Sequence, residues 1–547
     1  MPDDKFPVDI FAVKKYGIDK WQKNFFWPVS DDEFISIYKD IDQSFVNEIS
    51  KQNRDIKIPL IIQDRFLILE YANFLHVLKV MKAIQSRRMD ILSLNSTWWY
   101  RNLLLRGDID THISRINQYK EKIPLLSKKV KSIAKSIICN KHILLHPLSM
   151  KNKTIVKLVG SINPLVEKYL TSYSDWVYLT SQSDWLPKDA EFELPEDFKS
   201  RVCQCSKDLV ARLNLIASKR DIPLSSAHKE HLQRLAEEEI MNAARISESI
   251  KQNLKCKKKI DLLISGRGNQ FYITAGMAVQ EHGGTVTMIA HGGDTGFLNH
   301  PALLVNHFDI PTVNNFVTYN SESARLYERI KTNHSKCKDN KLNILFAETD
   351  EYFKLWKRHR KKQISSRNKK VMIIGYPHSQ WRKPFTGSFA LVRLDMELRL
   401  IDFLKRHSYD VFYKAHPHRM SETKDIFESK AHVLKGYLQN HLDKVDVFLF
   451  PSITTTAFSV ALCTNKPVIT FDLSYKRHEA FPEAMELLKK RCMIIDTKFD
   501  ERNRIFFNEK ELLRALSQKP EKQNNQFIIR YMFPTKIRNR FTTHKAI

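Results

Sequence analysis

The stretch VDVFLFPSITTTAFSVALCTNKPVITFD, from Val445 to Asp472, decides the fold of this chain. An apolar run stops at a cluster of hydroxyl residues, a short helical pattern follows, and a second apolar run begins after a Lys-Pro pair. This order predicts a strand, a turn, a helix and a second strand. Free N–H groups and the positive end of the helix dipole point outward at such a turn, which makes it a candidate phosphate-binding site. Its hydroxyl residues are Ser452, Thr454, Thr455 and Thr456.

A basic strand end precedes this turn in the chain. The segment YKAHPHR, from Tyr413 to Arg419, closes another apolar run. Lys414 and Arg419 add positive charge that favours a phosphate, and a protonated His416 would donate to a leaving phosphate oxygen. The alternatives are a strand-end histidine with ordinary solvent contacts and, for the hydroxyl turn, plain helix N-capping.

A histidine-glycine turn is predicted at the end of a strand in the preceding part of the chain. His291 opens HGGDTGF, whose glycines let the backbone turn tightly and approach a ligand. His291 near neutral pKa would take a proton from an attacking hydroxyl, and Asp294 would orient it or act as the base itself. The alternative is a turn histidine bonded to its own backbone.

Two further loops are candidates for donor contacts. In GYPHSQWRKPF, Gly375 would allow close approach to the donor, while His378, Arg382 or Lys383 would meet its charge. In GRGN, Gly266 and Asn269 open a helix after an apolar strand, but only half of a dinucleotide fingerprint is present. A nicotinamide cofactor is therefore disfavoured, and ordinary surface loops are the alternative interpretation.

Strands alternating with helices from residue 251 onward predict parallel sheets wound on both faces. We expect an α/β chain with two Rossmann-like domains facing across a cleft, and a large helical N-terminal portion. The residues at the predicted strand ends are glycines, histidines, hydroxyls and cations, as expected where ligands bind at the carboxyl ends of strands. The predicted divisions are a mostly helical acceptor-side portion (1–250), a Rossmann-like part of the acceptor domain (251–354), a basic linker (355–370), a Rossmann-like donor domain (371–520) and a basic tail (521–547).

The composition narrows the class of protein. The 547 residues exceed the size of one core, and the 42% hydrophobic content is that of a globular protein. The sequence has no apolar run of the ~20 residues needed to cross a bilayer, and MPDDKFPVDIF does not resemble a signal peptide, so we expect a cytoplasmic protein. Seven cysteines give no disulfide framework, and GDID at 107–110 does not match a metal-nucleotide site, so no metal or other cofactor is expected.

The net charge of +28 is explained either by an anionic partner or by a surface whose lysines are simply solvated. The sequence carries none of the RNA-binding signatures, so nucleic acid is disfavoured. Peripheral association with an anionic inner-membrane surface is the interpretation we favour, and a solvated lysine-rich surface is the alternative.

These motifs together resemble bacterial surface-polysaccharide transferases with the GT-B architecture. HGGDTG is similar to the His-Gly motif of CDP-glycerol glycerophosphotransferases, and HGGDTGF to the turn of a little-characterised group of surface-polysaccharide transferases. KAHP followed by PSITTT resembles the KxHP and serine-rich motifs of bacterial sialyltransferases, polysialyltransferases and capsule Kdo transferases. The resemblance covers residues 260–496.

The resemblance implies specific roles for residues of this chain. His416 would contact the donor phosphate, held also by Ser452, Thr454 and Thr455, and His291 with Asp294 would serve as base or acceptor binder. It further implies a nucleotide-activated donor, CMP- or CDP-linked, and a glycan or lipid-linked acceptor within capsule, lipopolysaccharide or similar polysaccharide assembly, alongside the other proteins of that assembly. The chain departs from the sialyltransferase pattern in reading Ser-Ile-Thr-Thr-Thr and in lacking the acidic Asp/Glu-Asp/Glu-Gly motif, so sialic acid is not implied.

The expected reaction is an inverting, metal-independent transfer. Three alternatives stay open: a nucleotide-sugar 2-epimerase on the same fold, which needs no acceptor; a non-catalytic basic protein that binds an anionic polymer or nucleic acid; and a degenerate transferase retained as an assembly partner in a polysaccharide complex.

Overall fold

The structure is a computed structural model, and it describes the following residues: 5–94, 154–160, 163–171, 177–179, 192–254, 259–265, 270–290, 297, 312–331, 342–360, 369–375, 389–416, 420–453, 455–471, 480–518 and 524–543. The described helices are α1 (Ile10–Tyr16), α2 (Ile18–Lys23), α3 (Asp31–Lys51), α4 (Arg54–Ser86), α5 (Pro164–Leu170), α6 (Glu196–Ser218), α7 (Ser226–Leu254), α8 (Gln270–Glu281), α9 (Ser321–Lys331), α10 (Glu351–His359), α11 (Ala390–Arg406), α12 (Met420–Glu428), α13 (Thr456–Leu462), α14 (Pro482–Lys489), α15 (Glu509–Ser517), α16 (Gln526–Tyr531) and α17 (Thr535–Thr543).

Two parallel six-stranded sheets organise the described chain. The first sheet runs in the order β4 (Val177–Leu179), β3 (Thr154–Gly160), β5 (Lys259–Ser265), β6 (Thr285–Ile289), β7 (Asn315–Thr318) and β8 (Asn343–Phe346). The second runs in the order β11 (His432–Leu434), β10 (Asp410–Lys414), β9 (Lys370–Ile374), β12 (Val447–Phe450), β13 (Val468–Phe471) and β14 (Met493–Ile495). Two short pairs lie outside these sheets: β1 (Lys5–Pro7) with β2 (Asp90–Leu92), and β15 (Thr497–Phe499) with β16 (Ile505–Phe507).

The strand orders identify the fold. Counted along the chain, the second sheet has the order 3-2-1-4-5-6, which is that of the Rossmann fold. The first sheet has the order 2-1-3-4-5-6, whose first five strands follow the flavodoxin-like arrangement. The predicted α/β class with two Rossmann-like sheets in one chain, the GT-B type of organisation, is confirmed. The loops that would line a cleft between the sheets lie largely outside the described residues.

The central strands of the second sheet are buried on both faces, as parallel sheets require. Val371 and Ile373 of β9 belong to one hydrophobic core, whereas Met372 and Ile374 belong to a second core on the opposite face. The first core also contains residues of α3, α4, α6 and α11, and the second contains residues of α13 and of strands β5, β6 and β7 of the first sheet. The second sheet therefore lies between two layers of helices.

The N-terminal segment contacts the half of the chain that contains the second sheet. The Trp27 ring stacks on Phe389 with 4.1 Å between ring centres, and the backbone N–H of Trp27 donates to the carbonyl of Arg502 at 2.8 Å. Lys14 forms an ion pair with Asp425 at 2.6 Å. The helical portion, which sequence analysis placed with the acceptor side, is thus joined to the second sheet as well.

Two local features differ from the sequence-based expectation. Strands β3 and β4 lie within the portion expected to be mostly helical, and both belong to the first sheet. The predicted basic linker begins inside α10, because Trp356 and His359 give its first part a buried face. Short strands bordered by polar residues, such as β4 and β8, have little periodicity for a sequence pattern to detect.

Candidate functional site

The second sheet reverses its strand order between β9 and β12. Their side-by-side register pairs Leu449 with Ile373, so the two strands end at the same level. In open α/β sheets, ligands bind in the crevice at this switch point, beyond the carboxyl ends of the strands. The residues that follow are Gly375 after β9 and the Pro451–Ser452 pair after β12. The sequence-predicted donor segments thus flank the switch point of the second sheet.

Lys414 is a buried cation at the end of the neighbouring strand β10. Lys414 is only 6% exposed, and its Nζ donates one hydrogen bond, 2.8 Å long, to the carbonyl of Ala415. Within the described part of the chain no carboxylate forms an ion pair with it. Burial lowers the pKa of Lys414 because the charged form loses solvation. An ammonium group has three donors, so this site has donor capacity and charge left for an anionic ligand.

The sheet register shows which face carries Lys414. It lies opposite Ile374 of β9, and residues in register across a parallel sheet share a face. Ile374 belongs to the hydrophobic core that also contains Phe450 of β12 and Phe458 of α13. Lys414 and α13 therefore lie on the same face of the sheet, with β9 between β10 and β12, at a strand spacing of about 10 Å in total.

Gly375 is held between backbone and a buried tyrosine. Its N–H donates to the carbonyl of Lys414 at 2.9 Å, which extends the pairing of β9 and β10 by one residue. A Cβ atom at this position would lie 2.2 Å from Oη of Tyr413, whose hydroxyl donates to Glu397 at 2.7 Å. Packing against Tyr413 is therefore sufficient reason for a glycine here, and close approach of a donor at Gly375 stays a prediction.

The hydroxyl turn forms the start of α13. The Thr455 hydroxyl accepts a hydrogen bond from the N–H of Ala457 at 3.4 Å, which is the N-cap arrangement. Ser452 is 3% exposed, whereas Thr456, the first helical residue, is exposed. The capping role is thus observed for Thr455, and phosphate binding by the turn stays a prediction. The hydroxyl of Thr455 accepts in this cap, so its hydrogen is still able to donate to a ligand.

The end of α13 is fixed by a buried arginine that sequence reasoning did not identify. Arg491 is 2% exposed and donates to the carbonyls of Leu462 and Thr464 at 2.9 and 2.8 Å. Burial lowers its pKa to about 10. The carbonyl of Leu462 is one of the acceptors that a helix leaves unsatisfied at its C-terminus, and that of Thr464 lies in the turn that follows, so Arg491 anchors the end of the helix that follows the hydroxyl turn.

The other predicted site residues lie outside the described residues: His291, Asp294, Gly266, Asn269, His378, Arg382, Arg419 and Thr454. His416 is described and half-buried, two residues beyond Lys414. The structure thus brings Lys414, His416, Gly375 and Ser452 to one edge of the second sheet, and the convergence of His291 with His416 stays a prediction.

Asn163 lies next to the position where His291 follows β6. Its side-chain N–H donates to the carbonyl of Ala290 at 3.4 Å, and its oxygen accepts from the N–H of Val166 at 2.9 Å. Asn163 thus caps α5 and contacts the residue that immediately precedes His291. The Asn-Pro pair that opens α5 is a helix-start signal in the sequence, but nothing in it indicates the contact with β6.

Helix α4 contacts one helix of each sheet, α8 of the first and α11 of the second. Ile62 packs with Ile273 of α8, and His76 contacts Phe389 at the start of α11 with 5.8 Å between ring centres. These two points of α4 are about 21 Å apart at 1.5 Å per residue. Between them, Glu70 and Asn73 are buried polar residues, 3% and 4% exposed. The sequence did not indicate that α4 contacts helices of both sheets, because α4 carries no motif.

Neither metal binding nor membrane insertion is indicated by the described residues. They contain no cluster of three or more metal-ligand side chains, and Cys203 and Cys205 are free thiols. No described helix combines the length and apolar character needed to cross a bilayer. The expectation of a metal-independent reaction stays a prediction.

Comparisons with known proteins add two distant likenesses. No protein-family model and no curated protein matches the chain. Among solved structures, UDP-GlcNAc 2-epimerase from Methanocaldococcus jannaschii is similar at 12% identity and a TM-score of 0.33, covering 72% of this chain and 99% of that one. A UDP-glucosyltransferase from Polygonum tinctorium is similar at 10% identity and a TM-score of 0.34, covering 71% of this chain and 93% of that one. Likenesses at these scores carry no argument about function, and the fold rests on the strand orders given above.

Proposed function

We propose that this chain is a GT-B glycosyltransferase, or polyol-phosphate transferase, of bacterial surface-polysaccharide biosynthesis. Its donor would be nucleotide-activated, CMP- or CDP-linked as the motif resemblance implies, and its acceptor a glycan or a lipid-linked glycan. The observation that carries the proposal is Lys414, a buried ammonium without an ion-pair partner among the described residues, at a strand end beside the switch point.

The energetics of burial support an anion site at Lys414. An unpaired charge costs free energy when it loses water, so a buried lysine needs a compensating partner or neutralises. A donor phosphate would supply that partner, with a charge-assisted hydrogen bond stronger than one between neutral groups. A solvated lysine-rich surface, the alternative explanation of the net charge, does not account for a lysine buried at the carboxyl end of a strand.

The proposed donor position follows from this assignment. The phosphate would lie beyond the ends of β9, β10 and β12, within reach of Lys414, His416 and the hydroxyl turn. Arg419 and Thr454 would complete the phosphate contacts, and His378 or Arg382 would meet the remaining donor charge. Arg491 would act at a distance by fixing α13.

The proposed chemistry is a single inverting displacement. The acceptor oxygen attacks the anomeric carbon and gives its proton to His291 or Asp294, while the bond between that carbon and the donor phosphate oxygen breaks. The nucleotide leaves with the bonding electron pair, and a protonated His416 donates to its oxygen. In a polyol-phosphate transfer the attacked atom is phosphorus, with the same roles for these residues. Positioning and charge stabilisation would provide most of the acceleration.

The net charge of +28 adds a peripheral partner to the proposal. An anionic inner-membrane surface would attract such a chain and bring it to a lipid-linked acceptor. Association with vesicles containing anionic lipids, lost as salt is raised, is the expected result. Equal binding to neutral vesicles would contradict it.

A nucleotide screen followed by an activity assay tests the proposed function. Thermal stabilisation by CMP or CDP, but not by GDP, is expected, followed by nucleotide release from a CMP- or CDP-linked donor when an acceptor glycan is present. His416→Ala should abolish release with unchanged folding. His432→Ala, an exposed histidine on β11, serves as the matched control and should retain activity.

Three outcomes would contradict the proposal in different ways. Conversion of a UDP-sugar without any acceptor would indicate an epimerase. Salt-sensitive binding of polyanions that is indifferent to His416, with no nucleotide effect, would indicate a binding protein. Normal release by His416→Ala would remove the role assigned to that residue.

A further inference from the structure

The last strand of the second sheet has an open edge. β14 pairs in parallel with β13 on one side, and no strand of the described chain pairs with its other side. The open edge of a sheet presents backbone N–H and C=O groups that are able to pair with another extended chain. This edge lies away from the switch point, because β13 separates β14 from β12.

A cavity of about 810 Å³ runs along this edge. Six consecutive residues, 492–497, line it. Because successive side chains of a strand point to opposite faces, a cavity on one face would be lined by alternate residues. Consecutive lining residues mean that the cavity meets the backbone edge of the strand, and β14 itself supplies the three residues Met493–Ile495, a length of about 10 Å at 3.3 Å per residue.

Two helices on opposite faces of the sheet form the walls of this groove. Leu488 of α14 belongs to the core on one face, and Leu512 of α15 belongs to the core on the other. The groove is partly apolar, with Met485, Met493 and Ala515 among its lining residues. A concave channel with a strand edge along it has the shape that accepts one extended segment.

The groove carries opposite charges at its two ends. Glu511 accepts a hydrogen bond from the N–H of Asp496 at 3.2 Å, which places these two carboxylates at the carboxyl end of β14. Later residues of α15 still line the groove, so α15 runs back towards the amino end of the strand. Lys489 and Arg514 lie on that side, and both are exposed lining residues without an ion pair in the described chain.

We propose that this groove binds the extended carboxyl-terminal segment of a partner protein, which adds to β14 as an antiparallel strand. In that orientation the terminal carboxylate and an acidic residue of the partner meet Lys489 and Arg514, and a preceding basic residue meets Asp496 and Glu511. Apolar side chains in the middle of the segment contact Met485 and Met493. Main-chain hydrogen bonds supply affinity, and the charge order fixes the direction. The inference does not depend on the proposed transferase activity.

Peptide binding to the full-length chain tests this inference. The probe is fluorescein-labelled Gly-Lys-Ile-Val-Ile-Glu with a free carboxylate, and the control peptide is Gly-Glu-Ile-Val-Ile-Lys with an amidated end. Fluorescence anisotropy should give a dissociation constant at least tenfold lower for the first peptide. Hydrogen exchange of the amides in residues 493–495 should slow when the first peptide binds.

Charge-reversal variants separate the groove from general electrostatics. The double variant Lys489→Glu/Arg514→Glu should lose the first peptide and prefer the second. Lys490→Glu/Lys510→Glu changes the charge equally on the same two structural units, at exposed residues that do not line the groove, and should bind like the wild type. Absence of saturable binding, equal binding of both peptides, or unchanged preference in the groove variant would overturn the proposal.

Discussion

The substitution Gly375→Ala gives a quantitative test of the packing at the end of β9. A Cβ atom there would lie 2.2 Å from Oη and 2.4 Å from Cζ of Tyr413, about 1.2 Å short of the 3.4 Å at which ordinary contact begins. Tyr413 is 1% exposed, stacks on Phe427 at 3.8 Å and donates to Glu397. The ring therefore has no low-energy way to move aside.

The expected cost combines two effects. Overpacking in a dense core costs about 1–3 kcal/mol, and disturbing a buried hydrogen bond to a carboxylate costs about 1.5–3 kcal/mol. We expect Gly375→Ala to lower the free energy of unfolding by about 3–5 kcal/mol, measured by urea denaturation followed through tryptophan fluorescence. Tyr413→Leu should recover part of this loss in the double variant, because it removes the clashing ring.

A second glycine provides the control for this prediction. Gly436 has a φ of +83° and no atom within 4 Å of a Cβ placed on it. Gly436→Ala should therefore cost only about 1 kcal/mol, from backbone strain alone. A loss below about 1 kcal/mol for Gly375→Ala, or no recovery in the double variant with Tyr413→Leu, would refute the packing argument.

Three further predictions concern single contacts. Arg491→Met should lower the free energy of unfolding by about 3 kcal/mol, since it leaves buried carbonyls at the end of α13 without donors, and urea denaturation measures this. Trp27→Ala should cost about 3–5 kcal/mol by removing the ring stacked on Phe389, and an unchanged denaturation midpoint would contradict that packing. Nucleotide affinity should fall as pH rises, because Lys414 loses the charge that binds the phosphate. Burial lowers the pKa of Lys414, so this fall should begin at a lower pH than it would if the lysine were exposed, and calorimetric titrations at several pH values measure it.

The sequence contained enough information to predict the second sheet almost completely. Its strands are apolar runs bounded by Gly, Pro, Ser or Lys, and the segment from Val445 to Asp472 folds as the predicted strand, turn, helix and strand. Such strands are recognisable in a sequence because a strand buried on both faces needs an almost continuous run of apolar residues. The two Rossmann-like units follow from the alternation of these elements with helices.

The sequence did not reveal which elements meet across long separations. The stacking of Trp27 on Phe389 joins residues far apart in the chain, and no local pattern encodes such a contact. The same holds for Arg491, whose role depends on carbonyls of a preceding helix. Lys414 was predicted as a phosphate contact from its motif, but its burial and lack of an ion-pair partner in the described chain are visible only in the structure.

The most direct test of the central claim is calorimetric titration of CMP, CDP and UDP into the wild-type chain and Lys414→Met. A cytidine nucleotide should bind the wild type, and the variant should bind it at least tenfold more weakly, a loss of about 1.4 kcal/mol, with unchanged folding. Lys444→Met, an exposed lysine that precedes β12, should bind as the wild type does. Undiminished nucleotide binding by Lys414→Met, or no nucleotide binding by the wild type, would contradict the account.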